Sequence, residues 1–173
     1  MQLPSDRESA ANSLIKLGSK YYAEAAILYE KCANHPTAKL DDIRDAADGL
    51  RDLGYKYRET SVKRTQIHDS ARRLYERLAT HVGETAKDKL LKASGSSNLG
   101  SLSPSGSAES AKYYQTAAEL YERAAYNKTA TPTIIHIAVE ALKELGSKYP
   151  DGSDKRKEYM DRATALRSRF GYN

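Results

Sequence analysis

The residue types that most often perform chemistry are sparse in this sequence of 173 residues and are not arranged for catalysis. The histidines could ligate a metal ion or transfer protons, but none forms a His-Glu-x-x-His pair or repeats at a fixed distance from a carboxylate. Cys32 aligns with an alanine in the internal repeat described below, which favours a packing role over a nucleophilic one. We therefore predict that the protein is not an enzyme and has no catalytic residue, no cofactor and no metal site. The histidines considered are His35, His68, His81 and His136.

Composition excludes several further classes of protein. The chain has 28 Lys and Arg against 23 Asp and Glu, a net charge of +5, which is too mild by itself to indicate nucleic-acid binding. A single cysteine excludes a disulfide framework. No apolar run is long enough for a transmembrane helix, and the first residues lack the apolar stretch of a signal peptide. We expect a cytoplasmic location, and export by a leaderless route remains an alternative.

The sequence contains an internal duplication. Residues 20–81 align with residues 112–173 without a gap, and 25 of the 62 positions are identical, where chance would give about 5. Residues 93–110 (ASGSSNLGSLSPSGSAES) lie between the copies and are rich in serine and glycine, which predicts a flexible linker or loop. The predicted domains are a first helical unit with an N-terminal extension (1–92), this linker, and a second unit (111–173).

The periodicity of apolar residues predicts the fold class. Apolar residues recur at spacings of three and four on both sides of the linker, which is typical of amphipathic helices, and no segment alternates with period two. We predict an all-α protein of six helices in two tandem three-helix units. In the first unit the first predicted helix begins at a capping box of Ser5 and Glu8 and ends at His35-Pro36. The other two helices of that unit are predicted over 40–57 and 62–91, and those of the second unit over 108–127, 132–149 and 153–170.

Two sequence signatures resemble those of the tetratricopeptide (TPR) repeat. The strings LGSKYY (Leu17–Tyr22), LGYKY (Leu53–Tyr57) and LGSKY (Leu145–Tyr149) resemble the Leu-Gly-x-x-Tyr pattern of one TPR helix. The resemblance implies TPR-like helical hairpins that bind a segment of another protein in a groove. Alanine-x-x-x-tyrosine runs that are similar to the partner helix begin at Ala25, Ala71 and Ala117.

A second resemblance, kept as an alternative, is to the microtubule-interacting-and-transport (MIT) domain. The sequence GSDKRKEYMDRATALRSR (Gly152–Arg169) is similar to the third helix of that domain in its basic start and its Tyr-x-x-x-Ala spacing. The length of each three-helix unit also fits. This resemblance implies a three-helix bundle that binds helical tails of membrane-remodelling proteins.

The tyrosines are candidates for partner contacts. The chain has 13 tyrosines, one phenylalanine and no tryptophan. Tyrosines that are present in both copies are expected to pack between helices, whereas those without an aromatic counterpart are expected to be exposed. The tyrosines without a counterpart are Tyr55, Tyr75, Tyr126 and Tyr172.

The predicted third helix of each unit carries a net charge of +3, although the residues around its shared cations have diverged. A solvated face explains such charges, but so does an acidic partner. We therefore predict a non-catalytic protein–protein interaction module, an adaptor or scaffold, that binds a peptide or helix of another protein. The alternatives are a binder of nucleic acid or of an anionic membrane surface, and a secreted pathogen effector or secretion adaptor. The predicted partner-binding residues are Lys63, Arg64, Arg73, Arg77, Arg156, Arg169, Tyr55 and Tyr75.

Overall fold

The computed structural model describes residues 3–171 of the chain. These residues contain eight α-helices, one short 3-10 helix and no strand, which confirms the all-α prediction. None of the helices within this range combines the length and the hydrophobicity needed to cross a bilayer. The α-helices are α1 (Pro4–Leu17), α2 (Tyr22–Ala33), α3 (Leu40–Tyr55), α4 (Val62–Ala79), α5 (Ala86–Leu102), α6 (Ala108–Ala125), α7 (Pro132–Ser147) and α8 (Asp154–Arg169).

The helices fall into two compact units, Met1–Leu78 and Ala79–Asn173. Helix bounds in the two units agree at the 92-residue offset of the sequence repeat. Helices α3 and α7 begin and end at equivalent positions, α2 and α6 end at equivalent positions, and α4 and α8 begin at equivalent positions. The sequence repeat is therefore also a repeat of secondary structure.

The packing inside the two units repeats as well. In the first unit the rings of Tyr22 and Tyr57 meet edge to face with centroids 5.7 Å apart. The equivalent rings of Tyr114 and Tyr149 in the second unit meet the same way at 6.2 Å. Leu50 and its counterpart Leu142 are both fully buried. Equivalent residues thus hold equivalent places in each core.

The first predicted helix is interrupted in the structure. Gly18 has φ 115°, a backbone conformation that residues with a Cβ rarely adopt, so α1 ends at Leu17 and α2 begins at Tyr22. The helix start also differs from the predicted capping box at Ser5. Instead, the Asp6 carboxylate accepts a hydrogen bond from the backbone N–H of Leu3 at 3.1 Å.

The segment 93–110, predicted to be a flexible linker, is mostly helical. Helix α5 continues through it to Leu102 and α6 begins at Ala108, which leaves a turn of five residues. The physical reason is that its small residues bring two helices close together. A Cβ on Gly100 would lie 2.6 Å from the Tyr114 ring, and Ser110 Oγ donates a hydrogen bond to the Gly100 carbonyl at 2.8 Å.

The number of helices in each unit is larger than the sequence predicts. The predicted third helix over 62–91 ends at Ala79, and a separate helix starts at Ala86 behind a Thr85 cap that accepts from Asp88 N at 3.1 Å. Within residues 3–171, each unit therefore has four α-helices rather than three. The additional helices, α1 and α5, lie outside the repeated sequence.

One glycine pair provides a matched test of this packing. A Cβ on Gly54 would overlap the ring of His68, whereas on its counterpart Gly146 it would meet only Met160 Cε at 3.3 Å and atoms at 3.4 Å. We expect Gly54→Ala to lower the free energy of unfolding by about 1–2 kcal/mol, since overpacking outweighs the gain in helix propensity. Gly146→Ala should be within about 1 kcal/mol of neutral. Urea denaturation measures both, and equal effects would contradict the packing of His68 on α3.

Candidate functional site

The first unit has an open apolar groove between α2 and α4, which we call the first-unit groove. Its volume is about 290 Å³. Its walls are Ala23, Ala26 and Ile27 from α2 and Ile67 from α4, and Leu50 of α3 lies at its floor. Ile27 is 50% exposed, so an aliphatic side chain faces solvent at the edge of the groove. Exposed apolar surface of this kind, rimmed by polar residues, is typical of an interaction site.

The polar rim of the first-unit groove is not electrically balanced. Ser70 Oγ donates a hydrogen bond to Glu30 Oε1 at 2.5 Å, and the Arg73 guanidinium lies 3.7 Å from the same carboxylate. Glu30 is therefore neutralised within the unit. Lys63 also lines the groove, and its ammonium makes no hydrogen bond or ion pair with any residue from 3 to 171. The rim thus presents a net positive charge.

The equivalent position in the second unit is filled by larger side chains. Tyr159 stands where the first unit has Ile67, and it is buried. Arg162 stands in place of Ser70 and binds Glu122 through two hydrogen bonds of 2.9 and 2.8 Å. Its guanidinium also lies over the Tyr159 ring at 5.6 Å. These contacts occupy the space that is open in the first unit.

The α2 wall of the groove has no apolar counterpart in the second unit either. Ala23 and Ile27 are replaced there by Gln115 and Glu119, whose side chains hydrogen-bond to each other at 3.2 Å. The two copies share many of their core residues, such as Leu50 and Leu142, but differ at these groove positions. The same arrangement of helices carries apolar residues at these positions in the first unit and polar ones in the second. Folding alone therefore does not require the groove to be open and apolar.

A larger cavity, of about 590 Å³, lies in the second unit beside the turn between α5 and α6. Several of its serine hydroxyls already serve the packing of the helices. Ser103 Oγ donates to the Leu99 carbonyl at 2.9 Å, and Ser101 Oγ lies 3.3 Å from Tyr114 Oη. Its cationic residue, Lys148, pairs with Glu144 at 3.2 Å. No isoleucine, leucine or valine is among the residues that line this cavity, whereas Ile27 and Ile67 line the first-unit groove, so we regard the first-unit groove as the candidate site.

The structure separates the predicted basic residues of α4 into three places. Lys63 lines the first-unit groove, and Arg73 lies at its rim, 3.7 Å from the Glu30 carboxylate. Arg64 instead lies over the ring of Tyr55, with its guanidinium carbon 5.1 Å from the ring centroid. Arg77 Nη1 donates to Asn34 Oδ1 at 3.0 Å and to the Ala33 carbonyl at 3.4 Å. A cation at the end of α2 stabilises that helix, so Arg77 has a structural role.

The two predicted basic residues of α8, Arg156 and Arg169, differ in their contacts. Arg156 pairs with Asp151 and donates to the Tyr149 carbonyl at 3.5 Å. Arg169 is exposed in the last turn of α8 and makes no hydrogen bond or ion pair among the described residues. These residues belong to the second unit, and neither lies at a position equivalent to the groove walls.

One predicted aromatic contact residue is buried. Tyr75 was expected to be exposed, and this prediction is wrong, because the side chain is 0% exposed and its hydroxyl donates to Asp48 Oδ1 at 2.6 Å. The hydroxyl of a buried tyrosine needs such a partner, and α3 supplies one. Tyr55 and Tyr126 are exposed as predicted. Tyr172 lies outside the described residues.

Cys32 is buried at the end of α2, and burial raises the pKa of its thiol to about 11. The thiol is therefore protonated at neutral pH, whereas the nucleophile in cysteine chemistry is the thiolate. The thiol donates a weak hydrogen bond to the Asp42 carbonyl, which lies 3.9 Å from the sulfur.

Sequence reasoning did not assign Ile27 and Ile67 to a site, because apolar residues at helical spacing read as core. A usable signal was present in the duplication. Comparison of the copies position by position pairs Ile27 with Glu119 and Ile67 with Tyr159. Where the two copies of the repeat carry side chains of different chemical type at aligned positions, the surfaces of the two units are expected to differ.

The sequence matches no known protein-family model, and no curated protein is significantly similar to it.

Proposed function

We propose that this chain is a non-catalytic protein-interaction module whose first-unit groove binds an amphipathic segment of a partner protein. The observation that supports this proposal is the difference between the two copies of the repeat. The groove is open and lined by Ile27 and Ile67 in the first unit, while Tyr159 and the Arg162–Glu122 pair fill its counterpart. A surface that the fold does not need is available for a partner.

The shape and lining of the first-unit groove suit a helix or an extended peptide. Helix-in-groove recognition places apolar side chains at positions i, i+3 or i+4, and i+7 of the partner between two helices. A groove of about 290 Å³ has room for one or two such side chains beside Ile27 and Ile67. This mode of binding agrees with what the TPR-like and MIT-like sequence features imply.

Binding of nucleic acid through the basic helices is supported less well. Phosphate binding requires cations that are free to contact the backbone. Several of the predicted cations are instead engaged within the protein: Arg73 with Glu30, Arg156 with Asp151, and Arg77 with the end of α2. Adaptor binding of a polypeptide therefore remains the function that we propose.

The proposal can be tested by closing the groove with the residues of the other copy. Peptides that bind the full chain would be selected from a displayed library of helical peptides, and their affinities measured by fluorescence anisotropy. We expect the Ile67→Tyr and Ser70→Arg double variant to bind them at least tenfold more weakly, about 1.4 kcal/mol, because Tyr and Arg occupy this space in the second unit.

The matched control is Ile137→Glu on α7, an exposed isoleucine of the second unit that lies away from the groove positions. This variant should bind the selected peptides with unchanged affinity, and circular dichroism should show that both proteins are folded. Full affinity in the closed-groove variant would refute the proposal, as would selected peptides without a repeated apolar spacing.

A further inference from the structure

The turn between α3 and α4 and the first residues of α4 carry a group of cations without acidic partners. Lys56, Arg58, Lys63 and Arg64 lie within nine positions of each other, and we call them the basic turn. None of their charged groups makes a hydrogen bond or an ion pair with any residue from 3 to 171. Glu59 is the one acidic residue in this stretch.

The corresponding turn of the second unit is neutralised. Lys148 pairs with Glu144 at 3.2 Å, Lys155 pairs with Glu158 at 2.8 Å, and Arg156 pairs with Asp151. Arg58 has no charged counterpart there, because a proline stands at the equivalent position. The duplicated fold is thus stable with these charges compensated, and the first unit leaves them uncompensated.

Aromatic rings hold one of these cations in place. The Arg64 guanidinium lies over the exposed ring of Tyr55, which itself meets the His68 ring edge to face at 4.8 Å. Stacking restricts the long arginine side chain, and the Arg64 N–H groups make no hydrogen bond with any residue from 3 to 171. A stacked guanidinium without a carboxylate partner is well suited to bind an anion through two parallel hydrogen bonds.

The basic turn is continuous with the first-unit groove. Lys63 belongs to both, and Tyr57, which lies between Lys56 and Arg58 in sequence, lines the groove. One end of a peptide bound in the first-unit groove would therefore lie beside the cations of the basic turn. We propose that the basic turn binds carboxylates at one end of the same partner segment, so that the module selects an amphipathic segment with an acidic terminus; this inference rests on the proposed function.

Carboxylates of a polypeptide fit this arrangement better than the phosphates of a nucleic acid or a membrane. The cations adjoin an aliphatic groove, and a polypeptide segment supplies apolar side chains and carboxylates in one molecule. Phosphate recognition would need no such groove. Because charge pairs at the rim of an interface act mainly on selectivity, we expect the basic turn to distinguish acidic segments from neutral ones of equal apolar content.

The test uses the full chain and a pair of designed peptides. Both peptides are helices of about 18 residues with leucines at i, i+4 and i+7. One peptide carries three glutamates at one end, and the other carries three glutamines at the same positions. The pair is made twice, once with these residues at the N-terminal end and once at the C-terminal end. For one of the two end placements, we expect the glutamate peptide to bind at least tenfold more tightly than the matching glutamine peptide. The measurement is made at an ionic strength of about 0.15 M. The Lys56→Gln and Arg58→Gln variant should reduce this preference to less than threefold while its affinity for the glutamine peptide is unchanged.

The control removes the same charge from the second unit through Lys148→Gln and Lys155→Gln, which should keep the full preference. If both peptides bind the wild-type chain equally, the groove function stands and the inference is overturned. If neither peptide binds, the groove function fails with it. If Lys56→Gln and Arg58→Gln instead abolish binding to vesicles containing phosphatidylserine and leave the peptide preference intact, the basic turn is an anionic-surface site and the inference is likewise overturned.

Discussion

The Tyr75→Ala variant is expected to lose about 3–5 kcal/mol of unfolding free energy, because it removes a fully buried aromatic side chain and leaves a cavity. It also removes the hydrogen bond of 2.6 Å from the Tyr75 hydroxyl to Asp48. Burial raises the pKa of this hydroxyl far above its usual range, so it is protonated and donates at neutral pH. Urea denaturation followed by far-ultraviolet circular dichroism measures the loss.

Two variants separate the contributions to this loss. Tyr75→Phe keeps the ring and removes only the hydroxyl, and since Arg51 still pairs with Asp48 at 3.1 Å, we expect a smaller loss of about 1–2 kcal/mol. Tyr126→Ala removes an exposed ring of the second unit and should change stability by less than about 0.5 kcal/mol. If Tyr75→Ala is as mild as Tyr126→Ala, the side chain is on the surface, as its sequence pattern suggests.

Helix α5 is expected to be as important for stability as a core helix. Leu99 is 1% exposed on α5, and Leu99→Ala should lower the unfolding free energy by about 2–5 kcal/mol. A flexible linker would give no such loss, because leucines in a mobile segment are not buried. Equilibrium denaturation tests this expectation directly, and Val82→Ala, at an 88% exposed position of the preceding loop, is the control with no expected effect.

Limited proteolysis gives a second measure of how firmly α5 is packed. Helical backbone resists proteases, so cleavage should occur in the turn at 103–107 rather than inside Ala86–Leu102. Leu99→Ala should accelerate cleavage within α5. Rapid cleavage of the wild-type protein between Ala93 and Leu102 would show that this helix is not packed in solution.

Much of the fold follows from periodicity in the sequence. The spacing of Leu50 and Leu53, and of their counterparts Leu142 and Leu145, predicts amphipathic helices, and all four side chains are fully or almost fully buried. Thr131 followed by a proline predicts the start of α7, and Thr131 Oγ1 accepts from Ile134 N at 3.3 Å. These features are local, so they can be recognised without knowledge of the neighbouring helices.

Other features depend on which helix lies opposite, and sequence reasoning missed them for that reason. Gly95, Ser96 and Gly100 have the composition of a linker, and only the close approach of a second helix explains them as a packing surface. Tyr75 has no aromatic counterpart, and only the position of Asp48 on α3 makes its burial favourable. The groove at Ile67 likewise depends on what the facing residues of α2 leave unfilled.

The additional helix at the start of each unit has a consequence for how the protein can be divided into fragments. The repeated sequence begins within the loop before α2 and within α6, so a fragment cut at the repeat boundary at residue 112 would lack α5 and part of α6. Such a cut would uncover the buried ring of Tyr114, which packs against Gly100 of α5. The repeat is thus a unit of sequence, whereas the compact unit of the second half also includes α5 and the whole of α6. Expression boundaries for that half are best placed in the loop between Ala79 and Ala86.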